Sequence, residues 1–223
     1  MPYLDPTLDV VFKLLLTRKP VLLRDMLQGI LARPVGEPAI LNPGIPGELA
    51  GDKQIVLDIR AMLADRSRVD LEMQRCTVPA LIARFIYYVA RDYSNQLRRG
   101  EKYHLLTPTI GIIWLAEPMV PALDRFHSVF ELRERHTNRR LTDHLAIHLI
   151  QLSAIPSEDE TDEDEDATRV RRWARFFAAR DEAELDRLAQ EDPIMEIAKN
   201  TLEQLSLDPS VRRQLLERER TPR

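Results

Sequence analysis

The sequence predicts an α/β fold, a central mixed β-sheet flanked by helices with a helical extension at the C-terminus. Three observations predict it. QIVLDIRAML (54–63) and RVDLEMQ (68–74) read as two strands joined by a short polar turn at Ala64-Asp65-Arg66-Ser67, the signature of a β-hairpin. PALIARFIYYVARDYSNQLRRG (79–100) follows a helical period and is succeeded by the apolar run TPTIGIIWLAE (107–117), so helix and buried strand alternate as in a layered α/β protein. From residue 157 onward the segments read as helices after an acidic start.

In chain order, PYLDPTLDVVFKLLL (2–16) reads as a cap followed by a helix. Asp5 or Thr7 can satisfy the first amide donors, and Val10, Val11, Leu14 and Leu15 form the apolar stripe. Asp9 falls in the first turn, where a carboxylate complements the helix dipole. A second helix is expected at VLLRDMLQGILA (21–32), then a loop rich in Pro and Gly over 33–51 with one short extended piece at Ala39-Ile40-Leu41. After the hairpin, Pro79 suits the first turn of the 79–100 helix and Gly100 its stop. HSVFELRE (127–134) and HLAIHLIQL (144–152) read as further strands. The expected boundaries are 1–156 for the α/β domain, 157–166 for an acidic linker and 167–223 for a helical extension, with helices at 167–180, 181–192 and 193–206 and a short tail at 208–219.

Composition narrows the function classes. The chain has 223 residues, 44% of them apolar, which suits one globular domain and a small appendage. The single cysteine, Cys76, forbids an intrachain disulfide and points to a cytoplasmic protein. No signal peptide is expected, because LDVVFKLLL is short and interrupted by Asp9 and Lys13. The apolar runs fall short of the ~20 residues that span a bilayer, so no membrane partner is expected. The net charge of −4 argues against a generically basic nucleic-acid binder, but SEDETDEDED (157–166) carries most of the excess acid. That tract reads as a solvated linker; a functional alternative is that it competes with DNA for a basic face.

The hairpin carries the candidate chemistry. On a strand, Asp70, Glu72 and Gln74 share one face while Val69, Leu71 and Met73 share the other. Asp58 stands among Val56, Leu57 and Ile59, a costly place for a carboxylate without a cation. An acid on one strand facing Glu-x-Gln on its neighbour suits a hard divalent cation, which takes oxygen ligands and usually one or two carboxylates. The bland counterpart is the solvated face of a half-buried sheet. Arg84, Arg91 and Arg98 recur every seven residues, a row that can track phosphates or simply line a wet helix face. His144 and His148 fit a strand better than a helical metal pair, and are expected to share one face as structural histidines.

Several segments together carry a resemblance. DPTLDVVFKLLL (5–16), KQIVLDIRAML (53–63), VDLEMQ (69–74), YSNQLRRGEKYHLL (93–106) and LTDHLAIHLIQL (141–152), in this order, resemble the PD-(D/E)XK nuclease family transposases, also called recombination-promoting nucleases, over roughly the first 155 residues. The resemblance implies a restriction-endonuclease-like core and a metal-dependent DNA endonuclease. It places the family's active-site pattern on Lys53, Asp58, Glu72 and Gln74, and its early Asp-x-x-Phe-Lys signature on Asp9, Phe12 and Lys13. Gln151 stands where the family tends to carry an acid. Asp58 and Glu72 are then expected to hold Mg²⁺ or Mn²⁺, and Gln74 stands where many relatives have lysine. Lys53 could supply the missing positive charge, and Lys13 with the three arginines could contact DNA. Asp70 is a supporting acid or a ligand of another metal. A catalytically weak scaffold that binds DNA or protein, and a hydrolase of some other phosphate ester, are the alternatives. The stripes around Trp173, Phe176 and Phe177 allow the C-terminal helices to form a homo-oligomer, bind a partner or cap the core.

Overall fold

The computed structural model describes residues 3–42, 44–45, 55–56, 58–76, 80–118, 123, 125–157 and 164–220. The chain forms two compact units, 1–37 with 152–223 and 38–151. The first two helices therefore belong with the C-terminal helices and not with the sheet, a grouping that differs from the expected boundary pattern while keeping a seam near residue 152. The reason is apolar surface: the stripes of both helix sets have partners in each other.

The helical unit contains α1 (Asp9–Arg18), α2 (Pro20–Leu31), α4 (Glu165–Ala178), α5 (Glu182–Glu191), α6 (Pro193–Leu207) and α7 (Pro209–Arg220). Phe12 packs on Phe177 with ring centroids 5.5 Å apart, and Leu15, Leu22, Met26, Trp173, Phe176 and Leu202 are fully buried. Trp173 keeps its indole N–H satisfied by donating to Asp25 Oδ2 at 2.8 Å, as a buried indole requires. Asp164, Asp181 and Asp192 cap α4, α5 and α6 through side-chain oxygens. The end of the acidic tract thus contributes to the fold, since Asp164 starts α4, and Glu165 and Asp166 both pair with Arg169. Residues 158–163 lie outside the described residues. Asp5, one of the two expected caps of α1, instead shapes the turn before it, accepting from Thr7 N at 2.9 Å.

The sheet unit holds a six-stranded mixed sheet in the order β1-β4-β5-β6-β8-β7. Its strands are β1 (Ala39–Leu41), β4 (Ile59–Met62), β5 (Arg68–Gln74), β6 (Thr109–Leu115), β7 (His127–Glu131) and β8 (Leu145–Gln151), and a short pair, β2 (Gly44–Ile45) with β3 (Ile55–Val56), stands beside it. β5, β6 and β8 run parallel, and the other pairings are antiparallel. The parallel β5–β6 pair needs a crossover, which α3 (Leu81–Ser94) supplies. The hairpin appears as expected between β4 and β5, with Arg66 in the left-handed region at φ 69. Its first strand is shorter than expected: β3 pairs with β2, and the chain bends at Asp58 before β4 begins.

The register explains why the acids of β5 are not wet. Asp70 lies beside Gly111, Glu72 beside Ile113 and Gln74 beside Leu115, and Ile113 and Leu115 pack with Leu81, Phe85 and Val89 of α3. The acid face is thus the face that α3 covers, and β5 is buried on both sides. Gly111 permits this approach, since a Cβ there would meet Val89 Cγ2 at 2.6 Å and Phe85 Cε1 at 2.8 Å.

α3 ends at Ser94, six residues before Gly100. Gln96 captures the returning chain, donating to Thr107 O and Thr109 Oγ1 and accepting from Thr107 N, all at 2.9 Å. These bonds hold the chain in a turn where a helix would otherwise continue.

Candidate active site

Asp58 and Glu72 come together at the bend that precedes β4. Asp58 N donates to Glu72 Oε1 at 3.2 Å, and Met73 N donates to Asp58 Oδ2 at 3.0 Å. Gln74 Nε2 donates to Glu72 Oε2 at 3.0 Å, and Arg84 Nη2 reaches Gln74 Oε1 at 3.4 Å from α3. The two carboxylates are nearly enclosed, at 5% and 3% exposure. Backbone and side chain therefore fix both acids in one corner between adjacent strand segments, with a neutral amide next to them and a guanidinium beyond.

Lys53 lies outside the described residues. Asp9 and Lys13 stand on α1 in the helical unit, and Asp9 Oδ1 accepts from Val10 N at 2.7 Å, the bond of a first-turn carboxylate. The arginine row is cut short. Arg84 and Arg91 are on α3, whereas Arg98 follows the helix in a turn held by its own backbone N–H donating to Glu101 at 2.6 Å. The histidines also part company. His144 precedes β8 and bonds to Tyr93 of α3 at 2.8 Å, while His148 pairs with His127 of β7 at 2.9 Å. The expectation of one shared face fails because His144 is not in the strand. The bond to Tyr93 draws its ring to α3.

Asp70 belongs to a buried ionic cluster that the sequence pattern alone does not announce. Arg60 pairs with Asp92 of α3, Arg68 Nη1 meets Asp92 Oδ1 at 2.9 Å, and Arg60 Nε lies 3.7 Å from Asp70 Oδ1. Asp70 is fully buried and both its oxygens lack a hydrogen bond. Burial, with repulsion from Asp92, holds its carboxyl well above the ordinary carboxylate range, against the pull of Arg60. One clue to Asp92 is local: it continues the buried stripe Phe85, Val89, Asp92 at helical spacing on α3. A carboxylate on that stripe needs cations, and Arg60 and Arg68 alternate on the strands below.

Residues 6–223 match the sequence model of the PD-(D/E)XK nuclease family transposases. The chain belongs to this family. The match extends through the C-terminal helices, beyond the roughly 155 residues that carried the resemblance, and it agrees with the packing of α1 and α2 against those helices. The six-stranded mixed sheet and its flanking helix are those of a restriction-endonuclease-like core. No curated protein and no solved structure matches the chain. Membership in the family supports a nuclease or transposase-like function acting on DNA. Among the described residues no helix is long and apolar enough to cross a membrane.

The donor chemistry at Asp58 and Glu72 fits a divalent cation of the Mg²⁺ type. Among the described residues no group of three or more His, Cys, Asp or Glu side chains is set to hold a metal. A two-carboxylate corner is nonetheless what such a cation uses when water and substrate phosphate complete its shell.

Proposed function

We propose that this PD-(D/E)XK nuclease family transposase is a cytoplasmic, metal-dependent DNA endonuclease, with Asp58 and Glu72 holding Mg²⁺ or Mn²⁺. The observation that carries this reading is the bonded pair itself: Asp58 N to Glu72 Oε1 at 3.2 Å, with Met73 N holding Asp58 Oδ2. A bound divalent cation supplies Lewis-acid polarisation of a phosphate oxygen and a lowered pKa for water. The chain's own residues do the positioning. Met73 N and Asp58 N keep the two carboxylates from rotating apart. Gln74 presents an amide that can orient a water or donate to a phosphate oxygen, but it carries no charge. Arg84, bonded to the far end of that amide, is the cation that can meet charge developing on the phosphate.

The test is nicking of supercoiled plasmid by the full chain with Mg²⁺, Mn²⁺ or EDTA, comparing wild type with Asp58→Ala and Glu72→Ala. Cleavage that requires the metal and is lost in both variants is expected. Cleavage unaffected by either substitution would overturn the assignment. Absence of cleavage with DNA binding intact would favour the second reading, a binding scaffold, which the neutral Gln74 in a lysine position supports.

A further inference from the structure

The parallel strands give the sheet unit two distinct ends. Arg68, Thr109 and Leu145 are aligned at the end where β5, β6 and β8 begin, and Gln74, Leu115 and Gln151 at the end where they finish. Glu72 and Gln74 lie toward the finishing end. Two excursions leave the beginning end: the segment 95–108 that enters β6, and the β7–β8 hairpin tip. Thr109 N donates to His144 O at 2.9 Å, and His144 bonds Tyr93 at 2.8 Å, so the two excursions share a base.

This end differs in charge from the rest of the chain. Residues 95–107 and 131–144 hold seven Lys/Arg against four Asp/Glu, while the whole chain holds 32 against 36. Of the four acids there, Glu101 and Glu134 build turns and Glu131 pairs with arginines. Glu134 accepts from His136 N at 3.0 Å and from Thr137 N at 2.6 Å, Glu101 accepts from Arg98 N, and Glu131 accepts from Arg133 and Arg140. The hairpin is closed by Leu141 N to Leu132 O at 2.9 Å and Glu134 N to Arg139 O at 2.8 Å, with Asn138 in the left-handed region at φ 56. It is therefore shaped before any ligand arrives. Arg99, Lys102, Arg135 and Arg139 are exposed, and among the described residues their side chains make no hydrogen bond or ion pair. Between Lys102 and His104 stands Tyr103, 84% exposed.

Exposed cations in company with an exposed aromatic ring are the chemistry that binds a nucleic-acid strand, phosphates by charge and an unpaired base by stacking. We propose that this end of the sheet unit is a second DNA contact, separate from the carboxylate pair. Arg99, Lys102, Arg135 and Arg139 neutralise phosphates there, and Tyr103 stacks on an unstacked base. The inference rests on the reading of the chain as a DNA-acting enzyme. At ~3.3 Å per strand residue, the first residue of β5 is already ~13 Å from Glu72. The contact is therefore set apart from the carboxylate pair along the sheet.

The test is equilibrium binding of the full chain in EDTA to a fluorescent blunt duplex and to the same duplex with a single-stranded thymidine tail, over a series of KCl concentrations. Arg135→Ala/Arg139→Ala and Arg99→Ala/Lys102→Ala are each expected to lower the slope of log affinity against log salt by about 2, whereas Arg135→Lys/Arg139→Lys keeps it. Tyr103→Ala is expected to weaken the tailed duplex about tenfold and leave the blunt duplex unchanged. Wild-type slopes in both alanine pairs, or no DNA binding by the wild type, would overturn the proposal. Because binding is read without metal, the two ideas fail separately. Lowered slopes without any cleavage would remove the endonuclease reading alone, and Asp58-dependent cleavage with unchanged slopes would remove this one alone.

Discussion

Acid should unfold this protein through the His127–His148 pair. The two rings are bonded at 2.9 Å between the edge strand β7 and its neighbour β8, and burial pushes both down from 6.5 to about 4. His127 adds to the depression at His148, and Glu131 opposes it. In the folded state each ring takes its proton near pH 4, and in the unfolded state near 6.5. Between those values the unfolded chain binds more protons, so stability rises with pH there and is fully present above 6.5. The gap is worth ~3.4 kcal/mol for one ring, at 1.36 kcal/mol per pH unit. The bond between the rings lessens the first proton's cost, because a charged ring can donate to its neutral partner, so ~3–4 kcal/mol for the pair is the expected loss by pH 4 and ~7 kcal/mol the ceiling. Against a total of ~5–15 kcal/mol, that loss is large. Urea unfolding at pH 7.5, 6.5, 5.5 and 4.5 reads it directly. The wild type should lose stability steadily below pH 6.5, and His127→Gln/His148→Gln should lose less over the same interval. An identical pH profile in the double variant would refute the reasoning, since other groups would then be responsible.

Two further outcomes follow from packing and charge. Gly111→Ala should lower stability by ~1–3 kcal/mol, because the new Cβ meets Val89 and Phe85 inside 3 Å and α3 must shift; a thermal melt equal to wild type would show that both side chains yield freely. Asp92→Ala should cost ~3–5 kcal/mol by leaving Arg60 buried without its main partner, and replacing Arg60 and Asp92 together by Met and Leu should recover part of that loss in denaturant unfolding.

Much of the fold was legible because its elements are locally determined. The hairpin turn, the short strand at Ala39–Leu41 and the run at Thr109–Leu115 each follow from their own residues, and each appears within a residue or two of its expected place. The misjudged positions depend on distant partners. α3 stops at Ser94 because Gln96 bonds to Thr107, and His144 leaves the strand's face for Tyr93. No local period encodes either bond. The grouping of α1 and α2 with the C-terminal helices was illegible for the same reason. An apolar stripe such as Val10, Val11 and Leu15 states that it must be covered, but not by what.

The acid hairpin shows how far pattern alone reaches. Alternation correctly placed Asp70, Glu72 and Gln74 on one face, yet alternation usually marks a solvated face, and here that face lies under α3. Strand order decides between the two, since only a central strand with a crossover helix buries both of its sides. Burial is met differently at each of the three: Glu72 receives the N–H of Asp58, Gln74 spans Glu72 and Arg84, and Asp70 has no hydrogen bond but lies 3.7 Å from the Arg60 guanidinium. A carboxylate pair held this way by backbone donors cannot escape to solvent when a phosphate approaches. Such confinement costs stability in the free protein, and it holds both side chains in place for the cation and phosphate of the proposed reaction.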